Sequence, residues 1–437
     1  MKEKVAVCWF RRDLRINDNA AFYYALKSGL PVIPVFIFDS EILDKLSDKK
    51  DKRVNFIHDN LTFMNDAFLK NGSSFFVIHD KPLQAFKQIE KKFTVEEVFT
   101  NQDYEPAAIR RDKEISDYFF SKNISFYSYK DQVIFEKSEI VKSDGSPYHV
   151  FTPYSKLWLK NFEVLTLPGY PSEKLLEKLL KTDPIRIPPL KDIGFEKIKV
   201  EILPLQIDKE TLDNYDQNRN IPGISGTSHV SVQLRFGTIS IRELATIAKK
   251  FSQVYLKELI WREFFMMLLF HYPKVVNQNF NHKYNFIKWR NDEADFKKWC
   301  AGETGFPLVD AGMRQLNESG WMHNRVRMIV AGFLCKDLLI DWRWGEAYFA
   351  DKLLDYELSS NNGNWQWAAG TGADAAPYFR IFNPTTQIKN FDPKLNYIKA
   401  WIRPFKPGYM TEMVDHNMAR KRALKVYKEA LNEQTVT

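Results

Sequence analysis

The strongest constraint on the fold is an alternation of short apolar runs and amphipathic segments in residues 1–130. Five runs are rich in β-branched and aromatic residues: KVAVCWF, PVIPVFIF, SSFFVIHD, VEEVFTN and ISFYSY. Such runs are typical of parallel strands that are buried on both faces. The segments between them have helical patterns, and NAAFYYALKSG is predicted to end at Gly29. This alternation predicts an α/β N-terminal domain with a doubly wound parallel sheet.

The pattern changes after residue 130. Residues 131–205 include the proline-rich stretches LPGYPSEK and TDPIRIPPLKD, and we interpret them as an interdomain connector. Residues 206–437 have helical periodicity and are predicted to form an all-α domain. Ser240 and Glu243 have the spacing of a capping box, and MRQLNESGWMHNRVRMIVAGFLCKDLL is predicted to be one helical region.

Composition narrows the class of protein. The net charge of +8 favours a polyanionic partner, and the aromatic content of 15%, with 11 Trp, suits stacking on bases or on a flat cofactor. The longest apolar runs are too short to span a membrane, and no signal peptide is seen. The three widely separated cysteines predict neither a disulfide framework nor a metal site. We therefore expect a cytoplasmic protein, and a monomer because no self-association motif is present.

Common catalytic motifs are missing from the sequence. It contains no HExxH, no G-x-S-x-G and no Walker loop. GTGADA, at residues 370–375, matches G-x-G-x-x-A, but no predicted strand precedes it, so it is not interpreted as a dinucleotide site. The chemistry is therefore expected to come from a cofactor.

Two predicted helices carry polar and aromatic side chains on one face. At spacings i, i+3, i+4 and i+7, the two sets are Glu258, Trp261, Arg262, Phe265 and Trp321, Asn324, Arg325, Met328. A core face would be apolar, because an unpaired buried polar group costs roughly 1–3 kcal/mol. Either set alone is compatible with a domain seam. Together with the nearby SSNNGNWQW, they favour the lining of a cavity.

Further residues suggest what enters this cavity. Thr227 and Ser228 follow glycines at a predicted helix start, where hydroxyls and backbone N–H groups suit a phosphate; an ordinary N-cap is the alternative. Asp355 and Glu357 have carboxylates that either accept bonds from a cofactor ring or face solvent. These features suit a cofactor with a diphosphate and a flat polar ring, which would carry the redox chemistry itself.

Five long motifs then carry a family resemblance. WFRRDLRINDN, ELIWREFF, WMHNRVRM, DLLIDWRWGEAYF and NNGNWQWAAGTGADAAPYFRIFNPTTQ resemble the photolyase/cryptochrome family along essentially the whole chain. Within the family, the sequence is most similar to class I bacterial photolyases that repair cyclobutane pyrimidine dimers. The resemblance implies FAD, active as FADH⁻, and light-driven electron transfer to a dimer that has been flipped out of UV-damaged DNA.

The resemblance also implies roles for individual residues. The residues that would bind the cofactor are Tyr215, Thr227, Ser228, His229, Val230, Ser231, Tyr255, Arg262, Arg327, Asp355, Tyr356, Glu357 and Asn361. Of these, Asn361 would face flavin N5. The catalytic residues around the flipped dimer would be Glu258, Trp261, Asn324, Met328, Asn361 and Trp367. Contacts to DNA would come from Arg219, Glu258, Trp261, Asn324, Arg325, Arg380 and Gln387. The electron-transfer chain to oxidised flavin would be Trp365, Trp342 and Trp289.

Details of these motifs distinguish members of the family. Photolyases of the (6-4) type have histidines where this chain has Asn324 and Met328, and plant cryptochromes typically have Asp where it has Asn361. Both differences favour dimer repair. The alternative is a cryptochrome-type blue-light photoreceptor that signals through a protein partner. A non-photochemical flavoprotein is disfavoured by the tryptophan trio.

Some positions depart from the family pattern. Glu357 replaces the usual Asp, Tyr255 a Trp, and His229 an Arg. Folate-binding relatives place an Asn–Glu pair where this chain has Ala108 and Ile109. A folate antenna is therefore doubtful, and the second chromophore is either another compound or absent.

Overall fold

The computed structural model describes residues 2–406 and 408–432. Five strands lie in this part of the chain: β1 (Lys4–Phe10), β2 (Val32–Asp39), β3 (Phe76–Asp80), β4 (Thr94–Asn101) and β5 (Ser125–Tyr129). The α-helices described there are α1 (Ala20–Leu26), α2 (Ser40–Leu43), α3 (Lys52–Lys70), α4 (Pro82–Lys92), α5 (Pro106–Phe120), α6 (Phe151–Val164), α7 (Lys209–Asp213), α8 (Tyr215–Asn218), α9 (Ser231–Phe236), α10 (Ile241–Phe251), α11 (Gln253–His271), α12 (Glu293–Ala301), α13 (Pro307–Ser319), α14 (Asn324–Gly332), α15 (Trp342–Lys352), α16 (Leu358–Ala369), α17 (Pro384–Phe391), α18 (Asn396–Trp401) and α19 (His416–Asn432). None of these helices is long and apolar enough to cross a membrane.

The chain divides into two compact units. The first contains residues 1–136, 162–203 and 230–247, and the second contains residues 137–161, 204–229 and 248–437. Each unit is thus built from three separate stretches of chain. The segment that we interpreted as a connector is divided between them and contains α6 as well as several short 3₁₀ turns.

A five-stranded parallel sheet forms the centre of the first unit. The strand order is β3-β2-β1-β4-β5, and every neighbouring pair is parallel. The five apolar runs coincide with the five strands, which confirms the predicted sheet. The central strand β1 is buried from Val5 to Phe10, as a strand covered on both faces must be. Helix α1 ends at Leu26, earlier than predicted, and Gly29 lies in the following turn with φ 86°.

A buried ion cluster joins distant parts of the sequence within the first unit. Arg15 and Arg242 both donate to Asp131, at 2.7 and 2.9 Å, and Arg242 also pairs with Asp18 at 2.9 Å. Burial opposes ionisation of Asp131, but the two guanidinium groups lower its pKa overall. The start of α10 is anchored in this way, and Ser240 caps it through the N–H groups of Arg242 and Glu243. The predicted helix start at Ser240 is confirmed.

The second unit is helical, and α16 lies against α11, α14 and α15 at its centre. Two glycines permit the close approach of these helices. A Cβ on Gly345 of α15 would lie 2.1 Å from the Trp365 ring, and a Cβ on Gly363 of α16 would lie 2.2 Å from the Phe265 ring. Larger residues at either position would push the helices apart.

One predicted helical region is interrupted in the structure. Helix α13 ends at Ser319, Gly320 adopts φ 76°, and α14 begins only at Asn324, with His323 as its N-cap. The predicted helical region therefore contains two helices, because a left-handed glycine ends α13 before Trp321. The prediction that Trp321 and Asn324 lie on one helical face is wrong. Trp321 precedes α14 and does not share a helical face with Asn324.

Candidate functional site

A cavity of about 100 Å³ lies in the second unit, between α14, α15 and α16. It is lined by Asn324, Arg327, Met328, Ala331, Phe349, Leu353, Asp355, Tyr356, Glu357, Ser360, Asn361, Asn364, Trp365, Trp367 and Ala368. Nine of these are residues that the sequence marked out: Asn324, Arg327, Met328, Asp355, Tyr356, Glu357, Asn361, Trp365 and Trp367.

An ion pair is fixed at the wall of this cavity. Arg327 donates from Nη2 to Oδ2 of Asp355 at 2.8 Å and from Nε to the carbonyl of Met322 at 2.7 Å. The second oxygen of the carboxylate, Oδ1, is buried and has no hydrogen-bond partner among the described residues. A buried acceptor without a partner is costly. Asp355 therefore fits a ligand that brings an N–H or O–H group to this wall.

Asn361 presents a second acceptor at the same cavity. Its Nδ2 donates to the backbone carbonyl of Glu346 at 3.1 Å and to Oε1 of Glu346 at 2.9 Å. These bonds use the donor side of the amide and leave its oxygen able to accept. Burial raises the pKa of Glu346, and the bond from Asn361 opposes that rise.

Sequence reasoning did not identify Glu346. It lies on α15 four residues after Trp342 and next to Gly345, both of which are buried. The motif DLLIDWRWGEAYF places this single carboxylate among aromatic residues and a glycine. That pattern resembles the two helical sets of polar and aromatic residues and could have identified Glu346.

Glu357 is engaged with its own helix. It is the N-cap of α16, and its Oε2 accepts from Ser359 Oγ at 2.6 Å, Ser360 Oγ at 2.9 Å and the Ser360 N–H at 3.3 Å. The longer side chain thus fixes the start of the helix that carries Asn361, Trp365 and Trp367.

A second group of predicted residues meets on α8, α11 and the loop before α9. Arg219 pairs with Glu258 at 2.7 Å and lies over the Tyr215 ring at 5.4 Å. Tyr215 contacts Tyr255 edge-on at 5.0 Å, and the Tyr255 hydroxyl bonds to Ser228 Oγ at 2.9 Å. Burial raises the pKa of Glu258, whereas Arg219 opposes the rise. Arg262 lies on α11 next to Trp261.

The predicted phosphate loop differs from expectation. Thr227 and Ser228 do not start a helix: α9 begins at Ser231, and its N-cap Val230 makes no side-chain hydrogen bond. The reason is the left-handed backbone of His229, with φ 53°. A right-handed helix cannot continue through this conformation, so α9 begins after it. The ring of His229 lies 3.2 Å from the carbonyl of Pro204 through Nδ1. Val230 and Ser231 belong to the first unit, while Thr227, Ser228 and His229 belong to the second.

The remaining polar residues predicted to contact DNA lie on α14, on α17 and in the loop between α16 and α17. Arg325 donates from Nε and Nη2 to Oδ1 of Asn220, at 3.2 and 2.6 Å, and its guanidinium lies 4.4 Å from the Phe391 ring centre. Gln387 is buried on α17, and its Oε1 has no partner within the described ranges. Arg380 is exposed.

Two of the three predicted electron-transfer tryptophans are buried in one hydrophobic core. These are Trp365 and Trp342, and Trp289 packs against that core while partly exposed. Trp342 donates from Nε1 to Asn279 at 2.8 Å. Trp365, which lines the cavity, also contacts Trp299 at 6.2 Å between ring centres. Trp299 was not identified from the sequence.

Comparisons with known proteins show the family to which the chain belongs. A family model described as the FAD binding domain of DNA photolyase matches residues 255–407, and one described as DNA photolyase matches residues 6–173. A deoxyribodipyrimidine photo-lyase from Alkalihalophilus pseudofirmus is 35% identical, with 98% of each chain covered.

Solved structures show the same similarity. A bacterial class III photolyase from Agrobacterium tumefaciens has a TM-score of 0.85 at 31% identity, with 98% of each chain covered. An archaeal photolyase from Sulfolobus tokodaii with two FAD molecules has a TM-score of 0.83 at 32% identity, covering 97% of this chain and 99% of its own. The predicted fold class, FAD cofactor and lyase activity are confirmed, and this chain belongs to the DNA photolyase family.

Proposed function

We propose that the cavity on α14 and α16 holds the isoalloxazine of FAD and that a cyclobutane pyrimidine dimer, flipped out of DNA, enters beside it. The observation that supports this most is a pair of acceptors at one cavity, Asp355 Oδ1 and the Asn361 amide oxygen. A reduced isoalloxazine offers ring N–H groups to such acceptors. The free carboxylate oxygen of Asp355 therefore suits the cofactor of the family.

FAD, when bound and reduced, supplies the light-excited electron that opens the cyclobutane ring and then returns. The residues of the chain bind and orient the substrate. Trp261 and Trp367 stack on the two pyrimidines, a contact typically worth about 1–3 kcal/mol per base. Asn324 and Glu258 bond to the polar edges of the bases, and Met328 closes the apolar side. No side chain needs to act as an acid or a base.

The loop before α9 and the polar end of α11 are proposed to hold the remainder of FAD. Tyr215, Ser228 and Tyr255 already form one hydrogen-bonded and aromatic group there. Thr227, His229 and Arg262 are assigned with them to the diphosphate and ribityl chain, and Tyr356 and Glu357 to the edge of the ring. In the same scheme Trp365, Trp342 and Trp289 carry electrons to oxidised flavin.

Arg219, Arg325, Arg380 and Gln387 are proposed to contact UV-damaged DNA. The pairs Arg219–Glu258 and Arg325–Asn220 orient two guanidinium groups before DNA binds. We further propose a cytoplasmic monomer, since one chain carries every residue in the scheme. Sedimentation of the purified protein with and without DNA tests the monomer.

The test uses repair of a thymine-dimer oligonucleotide by the reduced protein under blue light. Trp261→Ala and Asn324→Ala should lose most repair while retaining flavin. Phe63→Ala, which removes an exposed aromatic ring on α3, serves as the control and should repair normally. Unchanged repair in both site variants would contradict the proposed substrate site.

The photoreceptor alternative is less supported, because the curated relatives are photolyases. A receptor does not need to prefer dimer-containing DNA. Competition between damaged and undamaged duplexes of the same sequence therefore separates the two functions directly.

A further inference from the structure

One face of Trp261 is covered by another aromatic ring. The Phe151 ring lies 3.6 Å from the Trp261 ring, centre to centre, with an angle of 6° between their planes. Phe264 meets the same indole edge-on, at 5.6 Å and 82°. A ring that is parallel at this distance covers that face of the indole, and Phe265 also lies against the indole, at 5.6 Å between ring centres and 30° between planes. A base that stacks on Trp261 must therefore use the area of the opposite face that Phe265 leaves open.

Phe151 is itself held at a defined position. It is buried and is the first residue of α6, and its N–H donates to Oδ2 of Asp374 at 3.1 Å. A carboxylate at this place satisfies an otherwise unpaired helix N–H and interacts favourably with the helix dipole. Asp374 has φ 46° and belongs to GTGADA, the motif that matched a dinucleotide pattern without a strand before it. In the structure this segment anchors α6 instead.

The rest of α6 is fixed to α11 by contacts on the same helical face. Trp158 donates from Nε1 to Oε1 of the buried Glu263 at 2.6 Å, and the Tyr154 hydroxyl lies 3.5 Å from the same oxygen. The Tyr154 ring also packs on Phe264 at 5.1 Å. Phe151, Tyr154 and Trp158 have the spacing i, i+3, i+7, so one stripe of α6 contacts α11. Phe151 therefore has little freedom to leave Trp261.

We propose that Phe151 is a positioning residue that sets the plane of Trp261 and the single face on which the flipped dimer stacks, with Asp374 fixing Phe151 through the start of α6. This inference rests on the proposed function, since Trp261 is taken as the stacking residue. It adds to the substrate site a residue that fixes the orientation of Trp261, which neither stacking tryptophan can do by itself.

Phe151→Ala frees the indole to rotate and should weaken binding of dimer DNA in the dark about tenfold, within the range that stacking contacts span. Binding of undamaged DNA and flavin content should change little. Tyr154→Leu is the matched control, because it removes an aromatic ring from the same face of α6 without touching Trp261. Asp374→Ala should give a smaller loss in the same direction, and Phe151→Leu guards against misfolding of the alanine variant.

A double-mutant cycle with Trp261→Ala separates positioning from general destabilisation. If Phe151 acts through Trp261, its substitution has no further effect on dimer affinity once the indole is gone. Additive losses, or an equal loss in Tyr154→Leu, would overturn the inference. Failure of the proposed function looks different: the wild-type protein would then show no preference for dimer DNA. A wild-type preference that persists undiminished in Phe151→Ala contradicts the positioning role alone.

Discussion

Arg327 and Asp355 form a 2.8 Å ion pair at the cavity wall, and this pair leaves the other Asp355 oxygen buried and without a partner in the described part of the chain. A carboxylate held in this way is oriented before any ligand arrives, which lowers the ordering cost of binding. The same wall carries Asn361, whose amide is oriented by Glu346. Two acceptors are thus fixed on separate elements around one space.

Removing the carboxylate should weaken flavin binding. Asp355→Ala deletes the acceptor and leaves Arg327 unpaired, so we expect flavin affinity to fall about tenfold to a hundredfold. Flavin absorbance after dialysis, followed by titration of the apoprotein, measures the loss. Asp351→Ala, at the exposed end of α15, is the control. Equal flavin retention in both variants would rule out the assigned role.

Glu346 should control the orientation of the Asn361 amide. Glu346→Leu removes the acceptor of the 2.9 Å bond and leaves the amide held only by the backbone carbonyl of residue 346, so its orientation is less fixed and light-driven reduction of the flavin should slow. Glu346→Gln keeps an acceptor oxygen and should remain close to the wild type. The measurement is the photoreduction rate of the two variants. Equal rates would show that the bond from Asn361 to the Glu346 side chain does not affect photoreduction.

Trp365 should be required for photoreduction but not for repair. Trp365→Phe is expected to block the reduction of oxidised FAD by light, while protein that is reduced beforehand still repairs dimers. Trp299→Phe changes a tryptophan in contact with Trp365 but outside the predicted chain, so photoreduction should survive there. If Trp299→Phe blocks reduction and Trp365→Phe does not, the electron route has been misassigned.

Stability should depend on pH through His323. Burial and the charges of Arg327 and Arg325 lower the pKa of His323 to about 3, and its Nδ1 accepts the Arg325 N–H at 3.2 Å as a neutral ring must. The unfolded pKa is about 6.5. Between these two pKa values, His323 binds a proton in the unfolded chain but not in the folded protein. The stability that the neutral ring contributes is therefore fully present above about pH 6.5 and is lost as the pH falls.

His323→Asn keeps an N-cap acceptor and removes the titrating ring. Between pH 7 and pH 5 the wild type should therefore lose about 2 kcal/mol more free energy of unfolding than the variant. Urea unfolding at the two pH values gives the comparison. The same pH dependence in both proteins would contradict a neutral, buried His323.

Contacts to phosphate should appear in the salt dependence of DNA binding. Arg380 is exposed on the loop before α17, and Arg380→Ala should reduce the slope of log affinity against log salt concentration by about one. Lys113→Ala, at an exposed position on α5, should leave the slope unchanged. Equal slopes in the wild type, Arg380→Ala and Lys113→Ala would show that Arg380 does not contact a DNA phosphate.

The sequence predicted elements with a strong local pattern and missed features that depend on distant residues. The five strands were found because each is a short apolar run, and the Ser240 cap because its partners are three residues apart. The helix break at Gly320 was missed because the apolar period continues across it. Glu346 and Phe151 were missed because their partners, Asn361 and Trp261, are 15 and 110 residues away. The left-handed backbone of His229 had no sequence signal.

The central claim is that this chain uses light to split pyrimidine dimers. The most direct measurement is repair of a thymine-dimer oligonucleotide by the purified, reduced wild-type protein, under blue light and in the dark. The account predicts repair in the light and none in the dark. Absence of repair in the light, from a preparation that holds fully reduced FAD, would contradict it.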